Sequence, residues 1–168
     1  MTDTGNFAFN SNSCELYEII AELVRAGIDK DFIYNAVFNQ YSTDRVRLTG
    51  YALYRKMRIY PEYHLSLITL SADELDQYHY QVGDTEGLVN MPLQVKGMKL
   101  SISLREDTER DVVRVSLRSV DDFPCNRMAE EFFNGGGHLN ASGGELPFPL
   151  EEAEKTAQRA IEAYQHLL

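Results

Sequence analysis

The sequence has only two cysteines, no tryptophan and no long apolar run. Cys14 and Cys125 lie far apart and form no CxxC pair, so we expect buried or half-buried free thiols rather than a disulfide or a zinc site. No stretch approaches the roughly 18 apolar residues that a membrane-spanning helix needs, and no charged segment precedes an apolar one as in a secretory leader. These absences predict a cytoplasmic protein that does not bind a membrane.

Basic residues are also scarce, since 16 Lys and Arg stand against 26 Asp and Glu and give a net charge of −10. Broad binding to duplex DNA needs many phosphate contacts from a basic surface, so this function is disfavoured. A small anionic ligand held by a few local groups is compatible with the charge. At 168 residues, of which 43 % are hydrophobic, the chain is long enough for one well-buried domain with a helical appendage.

Helical periodicity dominates residues 11–60. Ser13, Asp29 and either Ser42 or Thr43 are candidate N-caps for three helices, the last of which is expected to end near residues 60–61. We therefore predict a helical linker over residues 11–60, preceded by a short segment 1–10 and followed by an α/β domain over residues 61–168. Within that domain the pattern predicts a strand over residues 64–70 and helices over residues 72–78 and 85–95.

Two segments alternate apolar and polar residues with the period of a strand. Residues 99–105 and 112–119 each place aliphatic side chains on one side and Ser or Arg on the other. The acidic segment 106–111 between them is a natural turn, so we pair the two strands antiparallel. A helix over 124–133, a short strand over 141–146 and a C-terminal helix from residue 149 complete the prediction. The expected fold is α/β, with a small mixed, largely antiparallel sheet, helices on both faces and the helical linker in front.

Three consecutive glycines, the glycine run Gly135, Gly136 and Gly137, follow the predicted helix over 124–133. Such a run loses much backbone freedom on folding, and it suits a turn whose N–H groups face an anion. His138 adds a group that hydrogen-bonds phosphate or neutralises it when protonated. The alternative is a helix C-cap with spare glycines and a solvent-exposed histidine. We favour a phosphate-binding loop because further glycines, Gly143 and Gly144, follow so closely.

Arg118 is the second candidate, since it lies on the polar side of its strand and its planar guanidinium suits phosphate oxygens. Arg105 and Arg114 share that side and are weaker candidates, because a solvated strand face is the simpler interpretation. Asp3 lies in a Thr-Asp-Thr-Gly string that, by itself, is more simply a frayed terminus or an unused cap.

A family resemblance starts from residues 135–143, which are GGGHLNASG. They resemble the GGGHxxAxG signature of the C-terminal, substrate-binding domain of DHH-family phosphoesterases. Residues 116–119 (SLRS) and 84–90 (DTEGLVN) are also similar to that family, and most to its branch of short-oligoribonucleotide exonucleases that remove a phosphate from phosphoadenosine phosphate. Residues 2–7 (TDTGNF) resemble the last metal-binding motif of the family's N-terminal catalytic domain.

The resemblance implies a hydrolase in which two divalent metals, usually manganese, sit in an N-terminal domain and activate a water. It places phosphate binding on Arg118, Gly135, Gly136, Gly137 and His138, and part of a metal site on Asp3. It implies as partners a short single-stranded RNA or a nucleotide phosphate. A homodimer is a further expectation.

The sequence departs from the family pattern because it contains no DHH triplet. One carboxylate, Asp3, does not hold two metals, so we expect no catalytic residue in this chain and no retained Mn²⁺. The missing N-terminal catalytic domain would be a partner, and we expect the chain alone to be inactive. The alternatives are a fragment of a cyclic dinucleotide phosphodiesterase, a tRNA-binding domain like that of alanyl-tRNA synthetases, which the acidic charge disfavours, and a nucleic-acid-binding or interaction module without catalysis.

Overall fold

The computed structural model describes residues 6, 7 and 11–168, and packing divides the chain into two units, Met1–Ser42 and Thr43–Leu168. The first unit holds helices α1 (Cys14–Arg25) and α2 (Lys30–Phe38). Asp29 caps α2 as predicted, with its carboxylate accepting a hydrogen bond from the Phe32 amide at 2.8 Å. Ser13 occupies the N-cap position of α1, but its side chain makes no capping hydrogen bond. No residue between 11 and 42 is buried.

The second unit contains one six-stranded sheet with the order β1-β2-β3-β4-β6-β5. Strands β2 and β3 are parallel and every other neighbouring pair is antiparallel, which confirms the predicted mixed, largely antiparallel sheet. The predicted hairpin of β3 and β4 is confirmed as well. The strands are β1 (Arg58–Tyr60), β2 (Leu65–Leu70), β3 (Leu100–Asp107), β4 (Val112–Ser119), β5 (Gly136–His138) and β6 (Ala141–Pro147). The α-helices are α3 (Thr43–Tyr51), α4 (Ala72–Gln77), α5 (Cys125–Phe132) and α6 (Leu150–Tyr164).

Helices cover both faces of this sheet, as predicted. On the apolar face, Leu100, Ile102 and Leu104 of β3 and the alternate residues of β4 pack with Met128 of α5 and Ile161 of α6. On the opposite side of β2, Ile68 and Leu70 pack against Leu48 of α3 and Leu75 of α4. The second side of β3 and β4 is instead polar, and we call it the polar face.

The third predicted helix belongs to the second unit and changes form before it ends. After α3 the chain makes a π-helical turn (Ala52–Lys56). The Tyr51 hydroxyl donates to a Glu74 carboxylate oxygen at 2.6 Å, and Lys56 pairs with the same oxygen at 2.6 Å. The hydrogen bond to Glu74 raises the pKa of Tyr51 to about 12. This contact ties the end of α3 to α4.

Three local predictions were wrong in their details. Residues 85–95 do not form an α-helix but end in a 3₁₀ helix (Leu88–Gln94), because Pro92 inside it has no N–H for an α-helical hydrogen bond. His64 is left-handed with φ 50°, so β2 begins at Leu65 instead. The glycine run is not wholly a loop, since β5 starts at Gly136. The cysteines are free as expected, although Cys14 is exposed rather than buried.

Candidate functional site

A cavity of about 580 Å³ opens on the polar face, between the sheet and the turn that precedes the 3₁₀ helix. Its floor comes from β3, β4 and β6, and its rim from the segment around Gly87. Strand alternation explains this composition, because every second residue of β3 and β4 faces away from the apolar core. The lining residues are Thr85, Glu86, Gly87, Val89, Ser103, Arg105, Arg114, Val115, Ser116, Arg118, Asn134, Gly136, Gly143, Gly144 and Glu145.

The register arranges the polar face in rows across the strands. Arg118 of β4 lies opposite Ser101 of β3 and opposite Ala141 of β6. Ser116 lies opposite Ser103, and Arg114 opposite Arg105. Three arginines therefore line one cavity in a chain whose net charge is −10.

Arg118 has no ion-pair partner within residues 6, 7 and 11–168. Its guanidinium donates to the Leu117 carbonyl oxygen at 2.8 Å and to the Ser142 carbonyl oxygen at 3.5 Å. These two contacts orient the side chain without neutralising its charge. A half-buried guanidinium with spare donors suits a phosphate.

Arg114 differs because two carboxylates pair with it. Its Nε lies 3.0 Å from Asp107 and its Nη1 lies 3.0 Å from Glu145. Glu145 also pairs with Arg110 at 2.6 Å. The hydrogen bond from Arg114 lowers the pKa of the Asp107 carboxyl, which favours the charged carboxylate at neutral pH.

The glycines have two different structural roles. A Cβ on Gly135 would lie 1.9 Å from the Gly143 carbonyl oxygen, and a Cβ on Gly144 would lie 2.0 Å from the Phe133 carbonyl oxygen. Gly137 combines a positive φ of 143° with a Cβ position 2.6 Å from a backbone oxygen. Only side-chain atoms of Glu130, at 3.8 Å, would meet a Cβ on Gly136. At Gly135, Gly137 and Gly144 the neighbouring backbone therefore leaves no room for a Cβ, so packing alone explains these glycines whether or not they bind a ligand.

His138 ends β5, where it pairs with Ala141 of β6, and its side chain is exposed. Because Ala141 pairs with Arg118, the three residues form one row, and His138 and Arg118 stand two strands, about 10 Å, apart. Of the predicted phosphate-binding residues, Arg118 and Gly136 line the cavity, whereas Gly135, Gly137 and His138 do not.

Ser103, Ser116 and Asn134 line the cavity without having been predicted. The two serines could have been found from the same alternation that pointed to Arg118, because they occupy the same side of β3 and β4. Asn134 carried no such signal. Its side chain donates to the Glu145 carbonyl oxygen at 3.3 Å, a contact between residues 11 positions apart.

The predicted metal residue Asp3 lies outside the described residues. Across residues 6, 7 and 11–168, no group of three or more His, Cys, Asp or Glu side chains is placed to hold a metal ion. These residues therefore do not fit the two-metal site of the family. Nor does any helix in this part of the chain have the length and apolar composition to cross a bilayer.

Comparisons with known proteins relate the chain to nucleotide-processing enzymes. It is 27 % identical over 165 residues to the bifunctional oligoribonuclease and PAP phosphatase NrnA of Thermus thermophilus, covering 96 % of this chain and 47 % of that protein. An exopolyphosphatase-related protein from Bacteroides fragilis is 54 % identical with a TM-score of 0.94, over 99 % of this chain and 48 % of that one. The chain thus spans about half the length of these relatives.

The fold recurs in the pGpG-specific phosphodiesterase PggH from Vibrio cholerae, with a TM-score of 0.57 at 14 % identity over 95 % of this chain and 54 % of that one. At that identity the likeness concerns the fold alone. The model of the DHHA1 domain matches residues 66–166, which hold the sheet from β2 onward, the cavity and the glycine run. This match extends over more than half of the sequence and agrees with the resemblance of residues 135–143, and the chain therefore belongs to the DHHA1 domain family.

Proposed function

We propose that this chain is the substrate-binding part of a manganese-dependent phosphoesterase, an exonuclease that acts on short oligoribonucleotides or on phosphoadenosine phosphate. The two activities in the name of the Thermus relative, oligoribonuclease and PAP phosphatase, support this substrate class. The observation that carries the proposal is Arg118, a half-buried arginine that lines a cavity of about 580 Å³ and has no carboxylate partner among the described residues. In a chain with a net charge of −10, an unpaired arginine in a cavity favours the binding of an anionic ligand at this place.

The proposed task of this chain is binding and orientation. Arg118 would donate hydrogen bonds to a phosphate, and Ser116 would contribute a hydroxyl from the same cavity floor. His138, in the row of Arg118, would contact the same phosphate from the sheet edge. The metals, when bound by a catalytic domain with help from Asp3, would activate water and neutralise charge. Holding the phosphate in a fixed position is what this domain would add to that chemistry.

Calorimetric titration of the purified chain with adenosine 3′,5′-bisphosphate and with a 5′-phosphorylated trinucleotide tests the binding. Arg118→Gln should lower the affinity by roughly 10-fold or more, because a charge-assisted hydrogen bond contributes about 1.5–3 kcal/mol. His138→Ala should lower it as well. Arg159→Gln is the matched control, since Arg159 is an exposed arginine on α6 and its loss changes the net charge equally. Absence of binding at millimolar ligand would remove the proposal.

The same purified chain tests whether substrate binding and catalysis belong to different domains. We expect no manganese-dependent hydrolysis of a dinucleotide by the chain alone, as measured by chromatography of the products. Hydrolysis that requires Mn²⁺ and disappears on dialysis against a chelator would contradict this expectation. The cytoplasmic location and a homodimer stay predictions.

A further inference from the structure

Two carboxylates line the cavity, and they differ in what they contact. Glu145 pairs with Arg114 at 3.0 Å and with Arg110 at 2.6 Å, so its charge is compensated. The Glu86 carboxylate takes part in no ion pair and accepts no hydrogen bond within the part of the chain that the structure describes. Such a group is costly in a cavity that holds only phosphate, because like charges repel.

Backbone contacts hold Glu86 at the rim of the cavity. Arg45 of α3 donates from Nη2 to the Glu86 carbonyl oxygen at 3.1 Å, and the Glu86 amide donates to the Gly83 carbonyl oxygen at 2.9 Å. Gly83 and Gly87 are left-handed, with φ values of 102° and 82°, a conformation that residues with a Cβ rarely adopt. The turn is therefore fixed through its backbone, and the carboxylate is left available to a ligand.

The chemistry of an ionised carboxylate limits the ligand groups that suit it. It only accepts hydrogen bonds, so it favours groups that donate them. Ionised phosphate oxygens have no proton to donate, whereas a nucleoside has ribose hydroxyls and, in most bases, N–H groups. Arg118 supplies positive charge for a phosphate in the same cavity. An arginine and a carboxylate without a partner are together complementary to a ligand that carries both an anion and a donor.

We propose that Glu86 is a specificity-determining residue, which accepts a hydrogen bond from the nucleoside part of the ligand and repels inorganic phosphate chains. The donor is a ribose hydroxyl or a base N–H, two groups that the same carboxylate recognises. This inference rests on the proposed function and adds to it the residue that separates nucleotides from inorganic phosphates. Arg118 attracts both kinds of ligand, so the discrimination comes from Glu86.

Calorimetry of the 168-residue chain with adenosine 5′-monophosphate and with inorganic tripolyphosphate tests this assignment. Glu86→Gln should lower the affinity for the nucleotide about 5-fold, because a charge-assisted hydrogen bond is lost. The same variant should bind tripolyphosphate about twofold more tightly, since a repelling charge is removed. Glu162→Gln is the matched control, because Glu162 is an exposed glutamate on α6, against the apolar face, and it should leave both affinities unchanged.

Two analogues identify the donor group. The ribose of 2′,3′-dideoxyadenosine 5′-monophosphate lacks both hydroxyls, and the base of purine riboside 5′-monophosphate lacks the amino group. The analogue that has lost the recognised donor should bind the wild-type chain about 5-fold more weakly than adenosine 5′-monophosphate. Glu86→Gln should not weaken the binding of that analogue further, because the two changes remove the same hydrogen bond.

The possible results separate the role of Glu86 from the proposed function. If the wild-type chain binds neither the nucleotide nor tripolyphosphate, the proposed function fails and the role of Glu86 fails with it. If Glu86→Gln leaves nucleotide affinity unchanged, or shifts both affinities in the same direction, phosphate binding stands and the role of Glu86 is overturned. Weakening of both analogues by Glu86→Gln to the same extent as adenosine 5′-monophosphate would also overturn it.

Discussion

The two faces of β3 and β4 are made by alternate residues of the same strands, yet they have opposite surroundings. On the apolar face Leu100, Ile102, Leu104, Val113 and Leu117 are wholly buried against α5 and α6. On the polar face the residues between them are serines and arginines, of which Ser103, Arg114 and Ser116 line an open cavity. Because side chains of neighbouring residues point to opposite sides, substitutions on one face leave the other nearly untouched. Stability and ligand binding are therefore separable by position.

The largest effect is expected for a truncation on the apolar face. Ile102→Ala should lower the free energy of unfolding by about 2–5 kcal/mol, because it leaves a cavity in a closely packed core. Ser103→Ala, one residue further and on the polar face, should change it by less than about 1 kcal/mol, since its hydroxyl has no partner in the described residues. Urea denaturation of both variants measures the difference. Equal losses would mean that the two faces contribute alike to stability.

A second pair of substitutions sharpens the comparison at Gly136 and Gly144, two of the glycines of β5 and β6 that line the cavity. Gly144→Ala should lower the free energy of unfolding by about 1–3 kcal/mol, because its Cβ would lie 2.0 Å from the Phe133 carbonyl oxygen. Gly136→Ala should stay within about 0.5 kcal/mol, since its Cβ meets nothing closer than Glu130 at 3.8 Å. Calorimetric melting temperatures test this. A lower melting temperature for Gly136→Ala than for Gly144→Ala would contradict the close-approach argument.

Local sequence patterns carried much of the fold. The alternation in residues 99–105 and 112–119 predicted β3, β4 and their hairpin, because strand period and a short turn are both local properties. The strand order was not readable, since β2 pairs in parallel with β3 and β6 lies between β4 and β5. Such pairings join segments far apart in sequence, and no local period encodes them.

The candidate site was predictable to a similar degree. Arg118 followed from strand alternation and lines the cavity, as does Gly136. The sequence did not reveal that Glu145 neutralises the charge of Arg114, because Glu145 lies on another strand, 31 residues further along the chain. The steric reason for Gly135 was hidden too, since it depends on the backbone of β6. The phosphate-binding assignment of Arg118, Gly135, Gly136, Gly137 and His138 stays a prediction.

The smallest expected effect concerns the ion pair on the polar face. The hydrogen bond from Arg114 lowers the pKa of Asp107 in the folded protein. The ion pair therefore contributes its full stabilisation above the unfolded-state pKa of about 4. This stabilisation is lost as the pH falls through the lower pKa of the folded state. Asp107→Asn should reduce stability at pH 7 by about 0.5–1 kcal/mol, because Arg114 is partly exposed, and should flatten the acid-side decline. Urea denaturation between pH 7 and pH 2 measures both. Asp122→Asn, at an exposed carboxylate outside this cluster, is the control. An acid-side decline of wild-type steepness in Asp107→Asn would assign the decline to other carboxylates and leave the polar face without a measurable share in stability.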